Sequence, residues 1–248
     1  MNIRPFLHKN VKMTVDRIGT SGSAVLVIDN FLLDADRMVE YAATEARFGP
    51  ATALYPGIQA PIPAPYPHFV HNFMRALIPQ VFGLADLDVV DMRSNFSMIT
   101  VEAGKVGIRQ RIPHMDLIDP NHIVLLHYLY DAPQGGTAFY RHKSTGFEQM
   151  NQEQRTLYEA QLKDEIARHP QEGYIGGGTP IFDQIAAYPA VFNRAIVYRS
   201  TNLHAACVPP DFSYSEDPRQ GRLTANNTFY YGDAVSFFGA SAKRVQTG

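Results

Sequence analysis

The sequence predicts a mainly β domain with flanking helices, and three observations predict it. From Val89 onward the text turns to strand patterns: Arg93 to Thr100 alternates polar and apolar, and His122 to Tyr130 is rich in aliphatic and aromatic residues. Before Val89, two stretches carry helical spacing instead. The chain has 248 residues, 45 % hydrophobic and 19 % charged, which suits one domain, 1–248, with a large core.

In chain order, Val25 to Ile28 reads as a short buried strand, and Asp29-Asn30 turns the chain. Asp34 is placed to cap a helix from Ala35 to Arg47, with Met38, Val39 and Ala42 on its apolar face. Residues 56–67 hold five prolines, which predicts a surface loop rather than a helix or a central strand. Helical spacing resumes from Phe69 to Ile78 and stops or kinks at Pro79, so residues 30–85 form a helical region. Ile108 to Ile112 reads as a strand that ends at His114. Asp131 to Gly136 is a turn signal, and Thr137 to Tyr140 the returning strand of a hairpin. Residues 141–194 read as an insertion in the sheet, with a polar helix over 148–168. Ala195 to Tyr198 and Thr228 to Tyr231 are the last strands, and the tail after Phe238 is expected to fray.

Composition excludes several classes. The net charge of −2 offers no basic excess for a phosphate backbone, so no nucleic-acid partner is expected. The single cysteine, Cys207, rules out a disulfide within the chain and favours a reducing compartment. No apolar run reaches the length of a signal peptide or a membrane span, so the expectation is a soluble, cytoplasmic protein without a membrane partner. A homodimer is compatible with these features.

The chemistry gathers at Arg111-Ile112-Pro113-His114-Met115-Asp116. At a strand end, His114 and Asp116 point the same way, because side chains alternate with period two. Two histidines and one carboxylate on one face of an octahedron is the donor set of non-haem Fe(II) oxygenases. His204, just after a strand-like run, is the candidate third ligand. Arg222 and Thr224 open the next strand on one face, shared by Asn226. A guanidinium fork and a hydroxyl there suit a carboxylate. Other candidates read as structural: Cys207 as buried and inert, His127 and His142 as packing residues, and His68 with His71 as a surface or half-buried pair.

These motifs resemble the Fe(II)- and 2-oxoglutarate-dependent dioxygenases, nearest to the prolyl 4-hydroxylase-like branch. The matching text is Pro113-His114-Met115-Asp116, then Tyr128-Leu129-Tyr130-Asp131 through Gly135-Gly136-Thr137, His204-Ala205-Ala206-Cys207 and Gly221-Arg222-Leu223-Thr224. The opening Val27 to Leu32 resembles a bacterial subgroup of the same proteins. The insertion at 141–194 is atypical of the prolyl hydroxylases, and Arg222 stands where that branch has lysine. The resemblance implies a double-stranded β-helix, a jelly-roll or cupin-like barrel, with N-terminal helices packed on one sheet. It also implies Fe(II) held by His114, Asp116 and His204, with 2-oxoglutarate as co-substrate. The far carboxylate of 2-oxoglutarate would pair with Arg222 and Thr224, and Tyr128 would lie beside it. The implied reaction is hydroxylation of a small molecule, amino acid or peptide, with succinate as co-product. Two rivals are a cupin-type metal dioxygenase that does not use 2-oxoglutarate, and a jelly-roll binding module without turnover.

Overall fold

A computed structural model describes residues 3–51 and 55–233. The chain begins with a hairpin of β1 (Lys12–Ile18) and β2 (Ser23–Asp29), turned at Gly19 and Gly22, both at positive φ. Helix α1 (Ala35–Thr44) follows, with Asp34 at the N-cap position but no side-chain capping bond. Next come β3 (Gly49–Pro50), β4 (Gly57–Pro61), α2 (Pro65–Phe82) and β5 (Asp88–Ile99). A short helix α3 (Ile108–Arg111) leads to β6 (His122–Tyr128), β7 (Ala132–His142) and α4 (Gln152–Arg168). The last described strands are β8 (Phe182–Ala190), β9 (Ala195–Arg199), β10 (His204–Cys207) and β11 (Leu223–Gly232).

The strands form two antiparallel sheets. The larger runs β1-β2-β9-β6-β11-β5-β4-β3, and the smaller runs β10-β7-β8. Among the described strands neither closes on itself: β1 and β3 end the first sheet, and β10 and β8 the second. The fold is therefore a mixed α and β arrangement of two open sheets. The expected closed double-stranded β-helix or jelly-roll barrel is not what forms. Helices take up one face of the large sheet, so that face is buried without the sheet having to curl shut.

Packing explains the apolar runs. In β6, Ile123 and Leu125 face the helices, in one core with Phe31, Met38, Tyr66, Val70 and Phe96. Val124, Leu126 and Tyr128 point the other way, into a second core with Phe139, Ile196 and Tyr198 between the two sheets. A strand buried on both faces reads as continuous rather than alternating. On the outer side of the small sheet, Tyr158 and Leu162 of α4 pack with Tyr140 and Phe182.

Four local expectations are corrected. The proline-rich stretch is not a loop throughout: residues 57–61 form β4 near the sheet edge, and α2 already starts at Pro65. Pro65 and Pro67 sit in the first turn, where backbone N–H groups have no helical acceptor to lose. Nor does Pro79 end α2, which continues to Phe82 and stops at Gly83 in the left-handed conformation. Its buried residues Tyr66, Val70, Met74, Ile78 and Phe82 recur every four positions and hold it to the sheet. The segment 108–111 is helical, so His114 follows a helix and pairs with His204 only as an isolated bridge. Finally, β6 and β7 make no hairpin. Both edges of β6 are taken by β9 and β11, and β7 crosses to the small sheet. The tail after Phe238 lies outside the described residues.

Candidate metal centre

His114 and His204 are brought together by a two-way backbone clamp. Each residue's N–H donates to the other's carbonyl at 2.9 Å. The two rings lie 4.6 Å apart. Asp116 arrives because its N–H donates to Ser200 O at 3.2 Å, while Ser200 Oγ donates to Leu117 O at 2.8 Å. Its carboxylate then lies 3.6 Å from His114 Nε2 and 3.5 Å from His204 Nε2. One ligand atom from each of the three residues falls within 4.8 Å of the others, the one such group among the described residues.

The protonation states suit a metal. His204 Nδ1 lies 2.9 Å from Asn202 O, and a carbonyl only accepts, so Nδ1 carries the proton and Nε2 presents its lone pair. Burial pushes the His204 imidazole below its ordinary pKa against the opposing pull of Asp116, which favours the neutral ligand. Burial acts to raise the Asp116 pKa, but His204 and His114 more than offset it and hold the carboxyl well below the usual range. His204 is buried against the rings of Tyr198 and Phe139, whereas the side chains of His114 and Asp116 are 48 % and 37 % exposed. The cluster is thus walled on one side and open on the other.

A second polar group lies deeper in. Arg222 is 3 % exposed, and its Nη2 donates to Gly136 O at 3.0 Å. Its Nε has no partner, and no carboxylate among the described residues pairs with it. Its Cζ stands 5.5 Å from the centre of the Tyr130 ring. Tyr55 Oη lies close to Arg222 and Thr224, yet neither it nor Tyr130 Oη makes a hydrogen bond of good geometry. The Tyr198 ring is 4.9 Å from that of His204, and Gly136, which accepts from Arg222, pairs with Cys207 on β10, three residues along that strand from His204. Thr224 Oγ1 donates to Ser97 O at 3.2 Å, and Tyr128 Oη to Thr137 Oγ1 at 2.8 Å. Tyr128 stands directly across from Thr224 on the adjacent strand, but its hydroxyl proton is already placed.

Residues 9–229 match the family described as "Family of unknown function (DUF6445)". The chain belongs to this family. Comparison with curated proteins finds no match. For this family member the cluster of His114, Asp116 and His204 gives metal-binding capacity, consistent with a metal-dependent enzyme.

The remaining sequence candidates sit apart from the triad. His127 is buried on the helix side between Tyr66 Oη and Asn193 Oδ1. His142 is buried against Glu165 at 2.6 Å and Thr145 at 2.8 Å, and this ties α4 to β7. His68 bonds Asn72 on the surface, in a depression also lined by His71 and Met92. Cys207 is half-buried. Sequence reasoning missed Tyr55 and Asn202, and gave Tyr130 no role beyond its place in the Tyr128-Leu129-Tyr130 text. The acceptor of His204 Nδ1 is the main-chain carbonyl of Asn202, which no side-chain identity marks, and Tyr55 reaches Arg222 only through the fold. No described helix is long and apolar enough to cross a membrane.

Proposed function

We propose that the protein is an Fe(II)- and 2-oxoglutarate-dependent oxygenase that hydroxylates a C–H bond of its substrate. The observation that carries this is the buried guanidinium of Arg222, without a carboxylate partner among the described residues and bonded to Gly136 O across from Cys207 on β10, the strand that supplies His204 of a two-histidine, one-carboxylate cluster. A desolvated cation of this kind calls for an anion. Imidazole and carboxylate donors suit iron, and a guanidinium flanked by unpartnered phenols suits a carboxylate. The residues present therefore fit both groups.

His114, Asp116 and His204 hold the metal, with Asn202 O fixing the ring of His204. Arg222 and Thr224 receive the far carboxylate of 2-oxoglutarate, with Tyr128 packed beside them. Bound there, iron and 2-oxoglutarate supply oxidation of a C–H bond coupled to decarboxylation of the co-substrate. The chain's part is to orient and to exclude water. Tyr198 and Phe139 wall the inner side of the cluster, and the exposed sides of His114 and Asp116 leave the substrate's approach open.

Adding Fe(II) and 2-oxoglutarate under anaerobic conditions tests this. A visible charge-transfer band is expected in the wild type and absent from His204→Ala. A wild-type protein that binds iron but gives no band on adding 2-oxoglutarate would refute the co-substrate.

A further inference from the structure

The inner face of the large sheet carries a patch of uncharged hydrogen-bonding side chains that the metal centre does not use. Gln59 comes from β4, Asn95 and Ser97 from β5, and Asn226 from β11. Register sets Gln59 across from Ser97 and Asn95 across from Asn226. All four lie on the side opposite Ala60, Phe96, Met98 and Ala225, which face the helices. On this same face Asn226 stands across from Leu126, and Thr224 across from Tyr128. The patch therefore adjoins Thr224, two residues from Arg222, and the core that walls the triad.

Three amide nitrogens converge on one hydroxyl there. Gln59 Nε2, Asn95 Nδ2 and Asn226 Nδ2 lie 3.1, 2.6 and 3.1 Å from Ser97 Oγ. Asn95 Nδ2 also donates to Phe96 O at 3.1 Å, but the three carboxamides carry six N–H groups, and the two lone pairs of Ser97 Oγ together with Phe96 O cannot accept them all. Asn226 Oδ1, meanwhile, is buried with no partner. Turning that amide over would hand Ser97 an acceptor, but would leave an N–H where the oxygen now stands. The patch holds a spare donor beside a spare acceptor. Ser97 is fully buried, while the three carboxamides are only half-buried and so can be reached from outside. The charges farther along β5, Arg93 and Asp91, pair with each other at 3.2 Å.

We propose that this patch is a subsite for a neutral amide of the substrate, and that the substrate class is a peptide rather than a free, zwitterionic amino acid. A peptide carbonyl takes the spare carboxamide N–H, and a peptide N–H donates to Asn226 Oδ1. The inference rests on the oxygenase reading for the reactive centre beside the patch. The amide recognition itself rests on the carboxamides.

The test is affinity selection of a pool of N-acetylated, C-amidated tetrapeptides on the full chain loaded with Zn(II), read by mass spectrometry. Selected peptides are expected for the wild type, with affinity about ten-fold lower in Asn226→Leu and in Asn226→Asp. Leucine removes both ends of the amide, and aspartate turns a donor–acceptor pair into an acceptor-only anion. Metal content and melting temperature report whether each variant is folded, and Gln59→Leu serves if Asn226→Leu is not. No selection by the wild type, or equal affinity in the folded variants, overturns the proposal. Selection that depends on Asn226 without a 2-oxoglutarate band would leave the amide subsite standing and remove the oxygenase. A band with no selected peptide would do the reverse.

Discussion

At the scale of single residues, the members of the candidate metal cluster were legible and their surroundings were not. His114 and Asp116 announce themselves by spacing, and His204 by following a strand-like run. The reason given for the pair was wrong in detail: no regular strand aims them, and the aim comes from the clamp to His204 and the tie from Asp116 to Ser200. Arg222 was also legible, as an arginine opening a strand with no acidic residue nearby. What the sequence hides is its burial among Tyr55 and Tyr130, since Tyr55 is 167 residues away and meets it only through the sheet order. That burial sets the size of the expected effect. Losing one partner of a desolvated ion pair costs roughly 3–5 kcal/mol. Arg222→Ala should therefore weaken 2-oxoglutarate binding by about two to three orders of magnitude, at roughly 1.4 kcal/mol per factor of ten. Iron affinity should stay the same, because Arg222 is not a ligand. Anaerobic titration of 2-oxoglutarate into the iron-loaded wild type and variant makes the comparison, and matching affinities would detach Arg222 from the co-substrate.

At the scale of elements, helices and strands were read well where periodicity is strong and poorly where proline or glycine governs. Proline forbids only positions that need its N–H, which is why the end of β4, at Pro61 beyond its pairing with β3, and the first turn of α2 accept it. The β6–β7 hairpin failed because a turn signal does not say which strand edges are already taken. Two contacts between elements make predictions. Leu162 of α4 is buried with Tyr140 and Phe182, so Leu162→Ala should cost about 2–5 kcal/mol in urea unfolding. Metal affinity should be retained, since α4 supplies no ligand, and loss of metal by the folded variant would place α4 in the centre. Glu148 clips the β1–β2 turn to β7: it accepts from Thr20 N, Thr20 Oγ1 and Ser21 N, and pairs with Arg141 at 2.5 Å. Its side chain is 3 % exposed. Burial pushes its pKa up, but the bonds from Ser21, Thr20 and Arg141 prevail and bring it from 4.5 to about 2. A depressed carboxyl contributes stability above its unfolded value, and this is lost as pH falls through the folded one. The contribution, on the order of 3 kcal/mol, is thus complete above about pH 4.5 and fades toward pH 2. Denaturant midpoints measured across that window should fall more steeply in the wild type than in Glu148→Gln, and parallel slopes would show that the clip carries no pH dependence.

At the scale of the molecule, the sequence conveyed which faces are buried but not whether the sheets close. Alternation in β5 and β11, and continuous burial in β6, report only what lies above and below a strand. Closure depends on edges, and nothing in the text of β1 or β3 marks them as the ends of an open sheet. The candidate metal centre depends on this larger arrangement. His114 and Asp116 come from the segment after α3, and His204 from the first residue of a strand in the small sheet, 88 residues after Asp116. In an unfolded chain the three donors are scattered, so a metal held by all three would bind the native state and favour it by mass action. At a free metal concentration about one hundred times the dissociation constant, that stabilisation is about 2.7 kcal/mol. For a chain of this size it corresponds to a rise in Tm of roughly 5–10 °C. Fe(II), added anaerobically, should raise the melting temperature of the wild type by this amount, and chelation should reverse it. His114→Ala, which removes a half-exposed ligand with little loss of packing, should melt near the metal-free wild type and show no rise. Equal rises in both proteins would mean that the metal binds elsewhere on the chain.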